Sequence, residues 1–277
     1  MRAPRRDFTP KGVMEPSSPQ EMRRLSRRSF TWAGIAMLSA YSVIHWIFTR
    51  RPDGGIPWPL RRGLDANEGV WTDFFSSRRR SPTYDRSKLT AGRENGDEGL
   101  GEDFDPTTWK LTVAGSYSEN SETSGDDISL TMQQIQALPH VVQTTELFCI
   151  EGWSIIQSWK GVRFLDFAAK YPPPNADGSK PDVVRQPEAL VPYVAMETPD
   201  GGYYVGLDMA SALHPQTLLC WEMNGNPLEP EHGAPLRLVI PTKYGVKNIK
   251  RIGTITYTAA RPKDFWAEQG YDWYAGL

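Results

Sequence analysis

The chain has 277 residues, 39% of them hydrophobic and 11% aromatic, so a globular protein with one substantial core or two small ones is expected. Two cysteines exclude a disulfide-built scaffold, although a single bridge between them stays open. The formal net charge is -2, yet residues 1 to 50 hold nine Arg or Lys against three Asp or Glu, a basic end that reads as an address rather than a nucleic-acid groove.

Residues 26 to 48 read SRRSFTWAGIAMLSAYSVIHWIF. The run from 31 to 48 has no formal charge if His45 is neutral. As a helix it spans about 27 Å at 1.5 Å per residue, the short limit for a membrane crossing. Arg27 and Arg28, within SRRSF, resemble the twin-arginine export signal of bacteria, a route that carries folded proteins and so implies a cofactor inserted before export. No small-x-small cleavage site follows Phe48, which favours an uncleaved anchor over a released signal. Residues 1 to 50 are therefore taken as signal or membrane anchor. Residues 51 to 105, rich in Arg, Asp, Glu, Gly and Ser, read as an extended arm wrapping the domain, ordered near PWPLRR and looser around 76 to 103.

The body begins with WKLTVAG, residues 109 to 115, which alternates as a strand and closes at Gly115. SLTMQQIQAL, residues 129 to 138, predicts a short helix capped by Ser129, with Leu130, Ile135 and Leu138 on its apolar side. VVQTTELFCI is the next strand, and it leaves Cys149 where a strand meets a loop. WKGVRFLDFAAKY, residues 159 to 171, suggests a loop entering a short helix that the proline-rich stretch after it ends. LVPYVAME, GGYYVGLDM, TLLCWEMNG, PLRLVIP and IKRIGTITYT add short strands between Gly and Pro turns. These pieces predict a mixed, sheet-rich α+β domain over residues 106 to 262, with 263 to 277 as a C-terminal tail. No GxGxxG fingerprint or phosphate loop occurs among them.

Cys149, in TELFCIEGWS, matches no CxxC pair and has no nearby His to activate it. Its local motif leaves packing, redox chemistry and metal ligation open; a single thiolate can complete a metal whose other sulfur ligands come from a cofactor. WEMNGNPLEPEHGAPLRLVIPTKYGVKNIKRI, residues 221 to 252, places His232, Arg237, Lys243, Lys247 and Lys250 amid Gly and Pro turns, as a phosphate cradle or as a solvated basic face.

CIEGWS, GVRFLDF, DGGYYVGLDM and the long block around HGAPLR, in this order after WKLTVAG, resemble the sulfite oxidase family of molybdopterin-dependent oxidoreductases. The resemblance covers about residues 106 to 260. It implies a sulfite-oxidase-type molybdopterin-binding fold in which Cys149 is the protein thiolate on molybdenum, beside two dithiolene sulfurs of one molybdopterin. It implies pterin or phosphate contacts at Asn224, His232, Arg237, Lys247 and Lys250, with Lys243 a weaker candidate. Glu151 and Trp153 would shape the metal's surroundings, and one of Tyr203 and Tyr204 would face the metal while the other packs inward.

The implied chemistry is two-electron oxygen-atom transfer on a small oxyanion, S-oxide or N-oxide. Electrons would pass through a separate partner such as a membrane haem protein, a quinone-linked subunit or a cytochrome c, because the chain has no CxxCH motif and no flavin fingerprint. CIEGWS is similar to the branch holding the periplasmic methionine sulfoxide reductase catalytic subunit, which makes oxidised methionine in protein one candidate substrate. The expected place is the periplasm or the outer face of the inner membrane, with residues 31 to 48 in the bilayer if uncleaved. The chain also ends too soon for the immunoglobulin-like dimerisation domain of larger relatives. The alternative reading is a noncatalytic molybdopterin-fold subunit of a membrane respiratory complex.

Overall fold

The computed structural model describes residues 19–76, 78–94, 96–101, 104–118 and 127–277. The chain divides into two units, Met1–Arg51 and Pro52–Leu277. The first eighteen residues of the expected address segment lie outside the described residues. In the first unit one 30-residue helix, α1 (Pro19–Phe48), runs through Arg27 and Arg28 into the apolar stretch. Its segment Met22–Phe48 is long and apolar enough to cross a membrane by length and composition. Phe30, Trp32, Leu38, Tyr41 and Phe48 are exposed along it.

The second unit opens with two-residue strands β1 (Pro52–Asp53) and β2 (Ile56–Pro57), which pair antiparallel around Gly54 and Gly55. Helix α2 (Trp58–Phe74) follows, where an extended arm was expected. Pro59 sits in its first turn, where a missing N–H breaks no helical hydrogen bond. The buried Arg61 fastens the helix, donating from Nη2 to Gly54 O and to Ala267 O, each at 2.6 Å. Tertiary bonds, not local periodicity, therefore decide that 58–74 is helical. Beyond α2, Thr83 bridges Thr145, and Thr90 N donates to Ile156 O at 3.1 Å.

Strand β3 (Leu111–Ala114) buries Leu111 and Val113 on one face, as its alternation predicts. Gly115 ends it with a φ of +68°, and a Cβ there would meet Tyr257 O at 2.6 Å. Strand β4 (Ile128–Leu130) contains Ser129, paired with Thr112, so the predicted cap is part of a sheet. Helix α3 (Met132–Gln136) instead starts at Thr131, whose side chain and that of Gln134 form a reciprocal capping box. Ile135 and Leu130 are buried as expected.

Strands β5 (His140–Phe148) and β6 (Ser154–Arg163) pair antiparallel from His140↔Val162 to Phe148↔Ser154. Residues 159–163, expected as a loop, complete β6, because Trp159 and Val162 find buried places there. Gly161 allows the approach of the next strand: a Cβ would lie 2.1 Å from Leu219 O. Helix α4 (Phe164–Lys170) then buries Phe164 and Phe167. Strands β7 (Tyr193–Glu197) and β8 (Tyr204–Asp208) form a hairpin, helix α5 (Met209–Ala212) caps on Asp208, and β9 (Leu218–Met223) turns back into the short β10 (Asn226–Pro227). Strand β11 (Arg237–Val239) pairs with β9, β12 (Thr254–Thr258) joins β3 and β7, and helix α6 (Phe265–Glu268) follows.

Two five-stranded sheets result, β10-β9-β6-β5 with β11 on β9, and β4-β3-β12-β7-β8. The β3/β12 pair is parallel and the other pairs are antiparallel. Val162, Leu219 and Leu238 from one sheet and Val113, Met196 and Ile255 from the other share a single core. This is the mixed, sheet-rich α+β fold expected. Residues 263–277, expected as a tail, belong to it: Ala267, Trp273 and Tyr274 form a small core of their own against Tyr193.

Candidate active site

The β5–β6 hairpin presents Cys149 at its tip. Cys149 N donates to Trp153 O at 2.9 Å, and Gly152 N donates to Cys149 O at 3.1 Å. Gly152 has a φ of +85°, the left-handed position that closes a three-residue hairpin loop. CIEGW is thus a tight turn with its thiol fixed at one shoulder. That thiol is free and 7% exposed. Burial pushes its pKa up, and the Glu151 carboxylate adds to the rise against backbone hydrogen bonds at residues 150 and 151. Glu151 Oε2 lies 3.9 Å from Sγ and accepts from Trp153 Nε1 at 2.7 Å, while the Arg93 guanidinium stacks 4.5 Å from the Trp153 ring.

Cys149 lines a cleft of about 410 Å³ together with Tyr203, Arg237, Asn248, Lys250 and Trp266. Among the described residues no group of three His, Cys, Asp or Glu side chains could hold a metal. A metal at Cys149 must therefore bring most of its ligands with it, as a sulfur-donating cofactor does.

The charged wall of the cleft has an unusual balance. Arg237, on β11, is 4% exposed and donates to His232 O at 2.9 Å and Asn248 O at 3.3 Å, with its guanidinium 4.8 Å from the Trp159 ring. No carboxylate pairs with it among the described residues. Burial pushes its pKa down to about 10. Burial and then the Arg237 charge push Lys250 down to about 8. Burial, Arg237 and Lys250, in that order, push His232 down as well. Glu94, Asp97 and Glu98 on the arm act in the opposite sense on Lys250, and its Nζ donates to Gly96 O at 2.9 Å. The Arg237 charge thus disfavours the charged forms of both Lys250 and His232, a cost that an anion bound beside Arg237 and Lys250 would relieve; His232 itself is not among the residues lining the cleft. Gly233, with a φ of +98°, makes the gathering possible, since a Cβ there would press 2.7 Å from Lys250 Cβ.

Of the other residues singled out from sequence, one more lines the cleft and the rest do not. Tyr203 reaches the cleft, its hydroxyl donating to Val246 O at 2.5 Å, and burial raises its pKa. Tyr204 points away and donates to Glu268 Oε2 at 2.5 Å, which pushes its pKa up to about 12. Asn224 occupies the β9–β10 turn with a φ of +56°, its Oδ1 accepting from Ser158 N at 2.9 Å and its Nδ2 bonded to Gln157. The structure does not bring it to the cleft. Lys243 lies 3.5 Å from Asp208 Oδ2 and over the Tyr274 ring, with burial pushing its pKa down to about 7. Lys247 is 2.5 Å from Asp264 Oδ2 and donates to Gly206 O at 2.9 Å. Neither lysine lines the cleft, because each is drawn to an internal carboxylate.

Lys247 also supports the cleft indirectly. Asp264 caps α6, accepting from Ala267 N at 3.0 Å, and α6 carries Trp266 into the cleft wall. Lys247→Met leaves that carboxylate buried without its cation and is expected to cost about 3–5 kcal/mol, read as a lowered denaturation midpoint. Unchanged stability combined with loss of a bound phosphate group would return Lys247 to a ligand role.

Asn248, Trp266 and Tyr271 line the cleft without having been singled out. Asn248 lay inside a run read only for its positive charges. The aromatic density of FWAEQGYDWY, in a segment taken for a tail, was the signal for the other two.

A family model described as an oxidoreductase molybdopterin binding domain matches residues 99–266. A protein of Azospira oryzae, provisionally named protein-methionine-sulfoxide reductase subunit YedZ1, is 31% identical over 258 residues, 92% of this chain and 87% of that protein. The protein-methionine-sulfoxide reductase catalytic subunit MsrP of Campylobacter jejuni is 33% identical over 189 residues, 64% of this chain, and the match spans 59% of that subunit. The crystal structure of the sulfane dehydrogenase SoxCD from Paracoccus pantotrophus aligns with a TM-score of 0.46 at 17% identity, covering 57% of this chain and 40% of that one.

Proposed function

Because the chain belongs to the molybdopterin-binding oxidoreductase family, we propose that its Cys149 cleft holds molybdenum on one molybdopterin and carries out oxygen-atom transfer at a sulfur centre, with methionine sulfoxide in protein as substrate. The residues present fit that group. A free, buried thiol faces the same cleft as a buried Arg237 that has no carboxylate partner among the described residues. This juxtaposition carries the reading. Cys149 would supply the protein thiolate, while Arg237 and Lys250 would hold the phosphate, with Asn248 beside them and the His232 carbonyl orienting Arg237.

When bound, the cofactor supplies a two-electron redox centre that can give or take an oxygen atom. The chain's own residues provide the setting. Glu151, held by Trp153, stands beside Sγ and limits how that ligand can turn. Arg237, held in place by the carbonyls of His232 and Asn248, gives a fixed positive charge beside Lys250 that needs little reorganisation when an anionic group arrives. The hydrogen bond from Tyr203 to Val246 fixes its ring in the wall, and Trp266 and Tyr271 add aromatic surface suited to a thioether-sized group.

The names of the Azospira and Campylobacter relatives support methionine sulfoxide as the substrate. The export-like arginines and the apolar helix α1 support an anchored protein on the periplasmic face, supplied with electrons by a separate membrane carrier, a haem protein being the first to try. Purified holoprotein should oxidise reduced viologen when given methionine sulfoxide, free or in an oxidised protein. Turnover with N-oxides or sulfite and not with sulfoxides would move the substrate. A molybdenum-loaded chain inactive with every such compound would favour the noncatalytic subunit.

A further inference from the structure

We propose that the outer end of α2 and the arginines following it form a docking surface for an anionic lipid bilayer. The proposal rests on the reading of α1 as a retained anchor. One side of α2 is committed to the domain, through Arg61 to Ala267 O, Asn67 to Asp272 at 2.8 Å, and Glu68 to Arg261 at 2.5 Å. The last turns of the helix leave large apolar groups in the open: Val70 is 53% exposed, Trp71 36% and Phe74 58%, with Leu277 nearby at 40%. Trp71, Phe74, Phe75 and Leu277 line one groove of about 260 Å³, and Arg79 and Arg80 line the same groove.

Charge points to the occupant. Arg78, Arg79 and Arg80 are exposed and form no ion pair among the described residues. From residue 69 to residue 84 the sequence has one acidic residue, Asp73, against these three arginines. Tryptophan and phenylalanine beside arginine is the composition of a surface that seats its rings at the headgroup level and its cations on anionic lipid.

Chain length limits how far the domain can stand from the anchor. Helix α1 ends at Phe48 and α2 begins at Trp58, so nine residues join them. Fully extended they reach about 30 Å, and the β1–β2 reversal within them shortens that reach. The start of α2 therefore cannot lie farther than about 30 Å from the end of the anchor.

The test uses the full chain reconstituted in vesicles of phosphatidylethanolamine and phosphatidylglycerol. A nitroxide is attached at Phe74→Cys and, as reference, at Val184→Cys, which is 66% exposed in the native chain and lies on another part of the fold. The unsubstituted chain, whose two cysteines are buried, serves as the labelling blank. The label at 74 should be relaxed by dissolved oxygen and shielded several-fold from a water-soluble nickel chelate, while the label at 184 behaves as in water. In R78Q/R79Q/R80Q the shielding at 74 should fall towards the reference. A chain that resists alkaline extraction but leaves position 74 as open to nickel as position 184 overturns the docking surface and spares the anchor. Shielding from both reagents means that protein covers the patch, which also overturns it. Extraction of the chain at alkaline pH removes the anchor and this proposal together.

Discussion

Cys149→Ala is expected to give a folded chain with no measurable turnover. The side chain is small, sits at the shoulder of a hairpin and makes no strong hydrogen bond, so its removal should change stability by about 1 kcal/mol at most. The loss of activity should exceed the roughly 10- to 100-fold that follows removal of a group standing behind a metal ligand. Unfolding midpoint, molybdenum content and visible absorption of the same preparation separate the effects. A variant that keeps both its turnover and its spectrum would remove Cys149 from the metal.

Arg237→Met should fold and lose its cofactor. The methionine keeps the bulk over Trp159 and removes a charge that burial already disfavours, so the chain without cofactor should keep its stability within about 1–2 kcal/mol. Charged hydrogen bonds contribute about 1.5–3 kcal/mol each, so pterin retention should weaken by roughly 10- to 150-fold for each one lost to the phosphate. Arg237→Lys restores charge without the planar fork that reaches both His232 O and Asn248 O, and should retain an intermediate amount. Oxidised-pterin fluorescence per chain reads the series. Full occupancy in the methionine variant would place the phosphate elsewhere.

The features legible in the sequence were those with local causes. Alternation in WKLTVAG marks β3, and a run of apolar and β-branched residues ending in Cys149 marks β5, because side-chain period and burial act over a few residues. The block around HGAPLR carries the basic wall, since Gly233 lets Lys250, seventeen residues on, pack against the turn that follows His232. Asn224-Gly225 is a two-residue hairpin signature, and its left-handed φ values of +56° and +91° could have been expected from that pair alone.

What was not legible depends on partners far along the chain. Lys243 and Lys247 look like Lys250 in a charge count, yet one pairs with Asp208 and the other with Asp264, and only the fold brings those carboxylates near. Helix α2 lacks a clear apolar stripe because its fastening is Arg61 reaching the backbone of Ala267, 206 residues away. The terminal aromatics looked like a tail for the same reason: Trp273 and Tyr274 acquire a core only against Ala267 and Tyr193. The local motif of Cys149 leaves its role open; the family resemblance assigns it to the metal, and the cleft it shares with the buried Arg237 supports that reading.

The central claim is that this cleft is built to hold molybdenum on a phosphate-bearing pterin. Metal and pterin content per chain, measured on full-length protein purified from a host that makes molybdopterin, tests it most directly. Close to one molybdenum and one pterin per folded chain are expected; a folded, correctly assembled chain carrying neither would show that the cleft serves another ligand.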